Sequence, residues 1–250
     1  FMAPTISLDS KRILITGGAR GLGQNFAEAA IAAGAQIVIA DILEDVGRKA
    51  AQEMGALFVG VDLAKPEAIE NCVKNAVDQL GGLDGLVNCG AIATGIGGPS
   101  MMETDIEVWD KVMDVNVRGT WLMSRAAVPH LMANEASKIV NVASDTALWG
   151  APKLISYVAS KGAIISMTRS MSRELGSEGI AVNCIAPGLT LVEATEYVPK
   201  DRKNQYIEGR SMQREQMPKD VTGTVLFLLS DAADFLTGQC LPINGGFVMN

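Results

Sequence analysis

The sequence predicts an α/β protein: one doubly wound parallel sheet of about seven strands with helices on both faces, forming a single domain over residues 1–250. Three observations predict it. Seven short apolar runs recur along the chain, and they are nearly continuous rather than alternating, as strands covered on both faces are. Longer alanine-rich stretches separate them in a regular strand–helix alternation. No linker, composition break or low-complexity tract interrupts that alternation.

The elements follow in order. RILIT (12–16) opens the sheet and runs straight into a glycine-rich turn and a helix. QIVIA (36–40) and ALFVGV (56–61) are the second and third strands. Pro66 then opens a helix that Gly81-Gly82 closes, ahead of the fourth strand, LDGLVN (83–88). KIVNVA (138–143) and IAVNCIA (180–186) are the fifth and sixth. Pro218 opens a helix ending near Asp231, and QCLPI (239–243) completes the sheet. Residues 193–215 break the pattern, with ten charged residues in 23 and no convincing strand. They form either a solvated surface insertion or a mobile lid, which we place at 189–216, because they follow the carboxyl end of a strand where ligands bind.

The net charge of −7 argues against a general phosphate-backbone binder, so no nucleic-acid partner is expected. A 48% hydrophobic content allows a core without metal or disulfide staples. No apolar run approaches the ~18 residues of a membrane span, and no charged-then-apolar leader opens the chain. Phe1 ahead of Met2 reads as a cloning remnant. Cys72, Cys89, Cys184 and Cys240 show no CxxC spacing, and with a single histidine no zinc or other metal site is expected. Cys89, Cys184 and Cys240 sit in apolar segments and read as small buried thiols of a reducing compartment, hence a cytoplasmic protein. The single His130 lies at the polar end of the helical stretch AAVPHLMANE and reads as structural. That removes the usual acid–base candidate and any Ser-His-Asp hydrolase.

The turn after the first strand reads Thr16-Gly17-Gly18-Ala19-Arg20-Gly21-Leu22-Gly23. Glycines there let backbone N–H groups and a helix N-terminus approach a pyrophosphate. Asp41 follows the second strand, eighteen residues after Gly23, with Ile42 beside it. A carboxylate at that place can accept hydrogen bonds from the adenosine ribose of NAD and repels a 2′-phosphate. Arg20 pulls towards NADP, but a carboxylate against a phosphate dianion costs more than a flexible arginine recovers. NAD is therefore the expected cofactor, and NADP the lesser one.

Tyr157 and Lys161 stand four residues apart in a helical stretch, so they share one face. A free phenol titrates near ~10, and an adjacent ammonium, together with the positive nicotinamide of an oxidised cofactor, is expected to stabilise the phenolate and lower that value. Ser144 closes the strand KIVNVAS at the carboxyl edge, where its hydroxyl can hold a substrate oxygen. Together these groups form a proton-handling site beside a hydride carrier.

With TGGARGLG (16–23), Asp41, Asp62-Leu63, Asn88, Asn116, Ser144, Tyr157-Val-Ala-Ser-Lys161, Pro187-Gly188 and TGQCLPINGG (237–246) in this order, the sequence resembles the short-chain dehydrogenase/reductase family over nearly its whole length. The resemblance implies a Rossmann-type sheet of order 3-2-1-4-5-6-7 and a homotetramer, with a dimer as the alternative. It also implies an Asn–Ser–Tyr–Lys tetrad. Tyr157 would be the general acid/base, Ser144 would orient the reacting oxygen, Lys161 would hold the nicotinamide ribose, and Asn116 would keep a relay water. Asp62 and Leu63 would contact adenine, Asn88 and Gly90 would support the ribose wall, and the backbone after Pro187-Gly188 would meet the carboxamide. Two departures stand out. Asn88-Cys89-Gly90-Ala91 replaces the family's Asn-Asn-Ala-Gly, and Val192 stands where a threonine is common, with Thr190 two residues earlier.

Further candidates carry two readings each. Asp145-Thr146 line a pocket or form a turn. Thr94, Trp149, Met101, Met102 and Leu148 are candidates for walling an apolar substrate pocket, which Ser144 and Thr146 would share. Trp109 and Trp121 read as core or subunit contacts. Lys200, Arg202 and Lys203 read as a solvated face, or as an attractor for an acidic substrate or carrier. The leading expectation is an NAD-dependent dehydrogenase acting on a small-molecule secondary alcohol or ketone. The alternatives are a 3-oxoacyl-thioester reductase and, from a different class, a non-catalytic dinucleotide sensor.

Overall fold

The structure is a computed structural model that describes residues 6–249; the Phe1–Met2 pair lies outside them. Seven strands form: β1 (Arg12–Thr16), β2 (Gln36–Asp41), β3 (Leu57–Gly60), β4 (Gly85–Asn88), β5 (Ser137–Val142), β6 (Ile180–Pro187) and β7 (Cys240–Ile243). All pair in parallel in the order β3-β2-β1-β4-β5-β6-β7, which is the order the resemblance implies. The chain therefore reverses its direction of travel between β1 and β4, where a crevice opens at the carboxyl ends of the strands.

The near-continuous apolar strands bury both faces. Along β1, Ile13 and Ile15 join Phe26 of α1 (Gly21–Ala32) and Val225 and Leu229 of α9 (Lys219–Leu229) in one layer. Leu14 points the other way and packs with Ile69 of α3 (Pro66–Leu80) and Met123 and Leu131 of α5 (Thr120–Leu131). The punctuation works as the sequence predicts: Pro66 occupies the first turn of α3, and Gly81 terminates it at φ +73°. Gly55 does the same for α2 (Glu44–Met54) at φ +78°.

Before α5 the chain forms α4 (Ile106–Val112), and the two are joined without a break by a π-helical turn, Met113–Gly119. This turn carries Asn116. The remaining helices are α6 (Thr146–Trp149), α7 (Ile155–Leu175) and α8 (Lys200–Gly209). α8 lies inside the charged segment.

Two sequence expectations change. Cys89 and Cys240 are only half-buried, because each stands at a strand end rather than within the sheet, while Cys72 and Cys184 are buried. Trp121 is 46% exposed and carries Arg125 over its ring, so it is not part of the core. His130 lies in the last turn of α5, away from the crevice. Among the described residues no helix is long and apolar enough to cross a membrane.

Candidate functional site

At the β1/β4 reversal the two strand ends are stitched together by one side chain. Thr16 Oγ1 accepts from the amides of Cys89 and Gly90 at 3.1 and 3.0 Å, and the Gly17 amide donates to Ala40 O at 2.7 Å. The glycines follow from that closeness. Gly17 has φ +68°, and a Cβ there would lie 2.7 Å from Gly90 Cα; a Cβ on Gly23 would press into the Gly17 carbonyl. Beyond the turn, the first amides of α1 have no side-chain cap, and the helix's own first turn holds no acidic residue. They leave a positive, donor-rich helix end facing the crevice.

Asp41 is fixed against this turn: its carboxylate accepts from the Ala19 amide at 3.1 Å and from the Leu43 amide at 3.0 Å. A cavity of about 1270 Å³ runs from Asp41 across the turn to the ends of β5 and β6. Its first end is lined by Gly17, Arg20, Gly21, Leu22 and Gly23, with Ile42, Asp62, Leu63 and Gly90 beside them. Asn88 lies one layer below. It is buried, donates to Ser124 Oγ (3.0 Å) and Asn141 Oδ1 (2.9 Å), and leaves its own Oδ1 without a partner.

The far end gathers Ser144, Thr146, Tyr157, Lys161, Pro187 and Gly188, together with Thr94 and Thr190. Ser144 Oγ accepts from Thr146 Oγ1 at 2.9 Å. The Lys161 ammonium donates to Val142 O at 2.6 Å and lies 5.6 Å from the centre of the Tyr157 ring. Burial pushes Lys161 down to about 8. Burial also pushes the Tyr157 phenol up, against a hydrogen bond with Ser144 that works to lower it. The spacing predicts a phenol acidified by Lys161 together with an oxidised nicotinamide; in the protein alone desolvation is the largest influence on the phenol and raises it.

Asn116 reaches this end indirectly. Its Oδ1 accepts from the Ile92 amide (2.7 Å), and its Nδ2 donates to Ile92 O and Ser160 Oγ (both 3.1 Å). It therefore pins the loop after β4 to α7, the helix that carries Tyr157 and Lys161.

The segment after β6 covers the far end. Tyr197 OH donates to Ala93 O at 2.9 Å across the mouth. Thr190 is buried and gives its hydroxyl to Gly188 O; Thr195, unnoticed in the sequence, also lines the cavity and accepts from the Val192 amide at 3.0 Å. Trp149 does not line the cavity. It stands behind the wall, donating its indole N–H to Tyr206 OH at 3.1 Å. Tyr206 OH in turn donates to Asp145 Oδ1 at 3.0 Å, and its ring stacks on Phe247 at 4.4 Å. Burial pushes the Asp145 carboxyl up to about 7, the Tyr206 hydrogen bond opposing it.

Arg210, also buried, donates to Leu189 O and Gln216 Oε1 and holds the base of the segment. Of the apolar candidates, Met101 and Met102 are 69% and 84% exposed outside the cavity, and Leu148 packs under α7. Of the basic residues weighed in the sequence, Arg202 lines the cavity, and Lys200 and Lys203 do not. Tyr206 and Tyr197 escaped notice because each is a lone aromatic in a charged stretch. Among the described residues no three His, Cys, Asp or Glu side chains cluster as metal ligands.

Comparison with known proteins agrees with this geometry. A family model described as "Enoyl-(Acyl carrier protein) reductase" matches residues 17–248. The 2-(S)-hydroxypropyl-CoM dehydrogenase 3 of Xanthobacter autotrophicus is 33% identical, over 96% of this chain and 97% of that protein. A 3-oxoacyl-[acyl-carrier-protein] reductase of Chlamydia muridarum is 31% identical over 96% and 98%. The crystal structure of a 3-ketoacyl-(acyl-carrier-protein) reductase from Brucella melitensis, complexed with NADH, superposes with a TM-score of 0.91 at 31% identity, covering 97% of this chain and all of that one. On these matches the chain belongs to the short-chain dehydrogenase/reductase family of oxidoreductases.

Proposed function

We propose that this protein is an NAD-dependent dehydrogenase interconverting a secondary alcohol and its ketone. The observation that carries the reading is a single cavity with the glycine turn and Asp41 at one end and Ser144, Tyr157 and Lys161 at the other. The donor set fits a dinucleotide: backbone where a Cβ would intrude, an uncapped helix N-terminus for a pyrophosphate, and a fixed carboxylate for a ribose diol. Gly17, Gly21, Leu22 and Gly23 would hold the phosphates, Asp41 and Ile42 the adenosine ribose, and Asp62 and Leu63 the adenine edge. Asn88 and Gly90 would back the ribose wall, and Pro187, Gly188 and Thr190 would face the carboxamide. When bound, a nicotinamide supplies the hydride acceptor or donor.

The chain's own residues handle the rest. Ser144 Oγ holds the reacting oxygen, and Tyr157 Oη takes the alcohol proton during oxidation or returns it during reduction. Lys161 keeps a positive charge near the phenol ring and stabilises the phenolate that is ready to accept the substrate proton. Asn116 fixes Ile92 and Ser160, and through them the approach of α7 to the mouth. Residues 189–216 act as a lid, hinged at the base that Arg210 secures.

Replacing Tyr157 with Phe should lower kcat at least ~1000-fold with NADH binding within about twofold, read by steady-state turnover and fluorescence titration. Retained turnover would remove Tyr157 from the proton step. The NAD preference rests on Asp41, and tighter NADPH than NADH binding would overturn it. A second reading, a 3-oxoacyl-thioester reductase, is favoured by two of the relatives above; faster turnover of acetoacetyl thioesters than of small ketones would select it. The exposed Trp121 face fits a homotetramer.

A further inference from the structure

Two basic side chains at the substrate end are left over by the proton chemistry. Lys153, in the turn between α6 and α7, and Arg202, in the first turn of α8, line the same cavity as Ser144 and Tyr157. Among the described residues neither makes an ion pair.

Both are placed against local preference. Lys153 has φ +58°, a left-handed conformation that costs a residue with a Cβ about 1–2 kcal/mol. Its carbonyl is held there by the Gly98 amide at 2.9 Å. Such strain collects where a side chain must be aimed. Arg202 sits at the positive end of a helix, where the macrodipole disfavours a cation. Its guanidinium lies 5.8 Å from the centre of the Trp149 ring, and Trp149 is itself fixed by Tyr206. The aromatic shelf holds the cation over the cavity without neutralising it.

The remaining charges nearby do not cancel this pair. Glu103, exposed outside the cavity and turned to Ser100, feels the Lys153 charge but forms no ion pair with it among the described residues. Asp201, also on the cavity wall, is exposed in the first turn of α8, where the helix amides favour it. Asp145 is turned to Tyr206 and Arg210. The walls near Ser144 are apolar, contributed by Ile92, Ile96, Leu154, Leu189 and Val198.

We propose that the substrate carries a terminal oxyanion, joined by a short apolar spacer to the reacting carbinol or carbonyl, and that Lys153 and Arg202 bind that anion. The oxyanion needs donors of this kind because it enters a partly desolvated cavity, where charge-assisted hydrogen bonds are strong. The apolar spacer matches the wall between the two ends. This deepens the alcohol dehydrogenase reading and rests on it.

The test uses the full chain with NAD and a ladder of hydroxycarboxylates of increasing spacer length, each paired with its carboxamide, plus neutral secondary alcohols. The best acid should exceed its amide in kcat/KM by about tenfold or more. Lys153→Gln and Arg202→Gln should each remove most of that preference, acting through KM, while turnover of the neutral alcohols stays within about twofold. Added salt should raise KM for the acid and leave the amide unchanged. Equal kcat/KM for every acid and its amide, with neutral alcohols turned over, would overturn the anionic tail and leave the dehydrogenase reading standing. No turnover of any alcohol in the series would overturn both.

Discussion

The two ends of the cavity are built from different materials. At the Asp41 end the closest contacts are backbone against backbone, Gly17 beside Gly90 and Gly23 beside the Gly17 carbonyl, with the single side chain of Thr16 stitching β1 to the loop after β4. At the Tyr157 end, side chains from distant segments do the joining. Buried Asp145 and Tyr206 join half-buried Trp149 and Phe247 in one group, Tyr197 reaches Ala93, and Arg210 ties Leu189 to Gln216. Backbone closeness admits one residue type, so it tolerates almost no substitution. A side-chain network can be rebuilt around another substrate without disturbing the sheet, which is how one scaffold serves many substrates.

The sharpest way to break this contrast is at Gly23. Gly23→Val should weaken NADH binding by ~100-fold or more, because its side chain would displace the Gly17 carbonyl from the cradle. Fluorescence titration reads it, and unchanged affinity would mean that the close backbone approach is not what makes the site. A milder break lies at Tyr206. Tyr206→Phe removes the donor to Asp145 and the acceptor for Trp149. It should raise substrate KM about five- to tenfold and cost roughly 1–3 kcal/mol of stability, with NADH affinity within about twofold. An equal loss of NADH affinity would show that the two ends are one rigid unit.

The smallest effect concerns pH. Burial raises the folded-state Asp145 carboxyl to about 7, above the unfolded value of ~4, so between those values the folded protein holds a proton that the unfolded chain has released. Stability at this residue therefore falls as pH rises from about 4 through about 7, and the loss is complete above that. Asp145→Asn should flatten the decline in Tm across this window by a few degrees, measured by thermal melts from pH 4.5 to 8. A decline of unchanged slope would assign the proton elsewhere.

This division also explains what could be read in the sequence. Strand positions came within two residues, since apolar runs of β-branched residues have few other uses. The glycine turn, Asp41 and the Tyr157–Lys161 spacing were equally legible, because a strand end or a helical repeat fixes where each one points. Trp149 was assigned to the pocket and stands behind its wall, since nothing local reveals a partner 57 residues away. α8 stayed hidden because its polar composition carries little helical periodicity; its helix rests on Tyr206 docking against Phe247. The spacing of Tyr157 and Lys161 states proximity and not solvation, so the burial that raises the phenol in the protein alone was not legible in it.

The π-helical turn at Met113–Gly119 has a consequence for how this chain can change length. It absorbs one residue more than α-helical winding requires, so the residues after it keep the face they would have in a helix one residue shorter. Deleting one residue there would restore regular winding and leave Leu122, Met123 and Leu131 on the sheet, but would take away the wide turn from which Asn116 reaches Ile92 and Ser160. A single-residue deletion within 113–119 should therefore leave the fold standing and cost the tie between the loop after β4 and α7, which thermal melts read beside turnover would show.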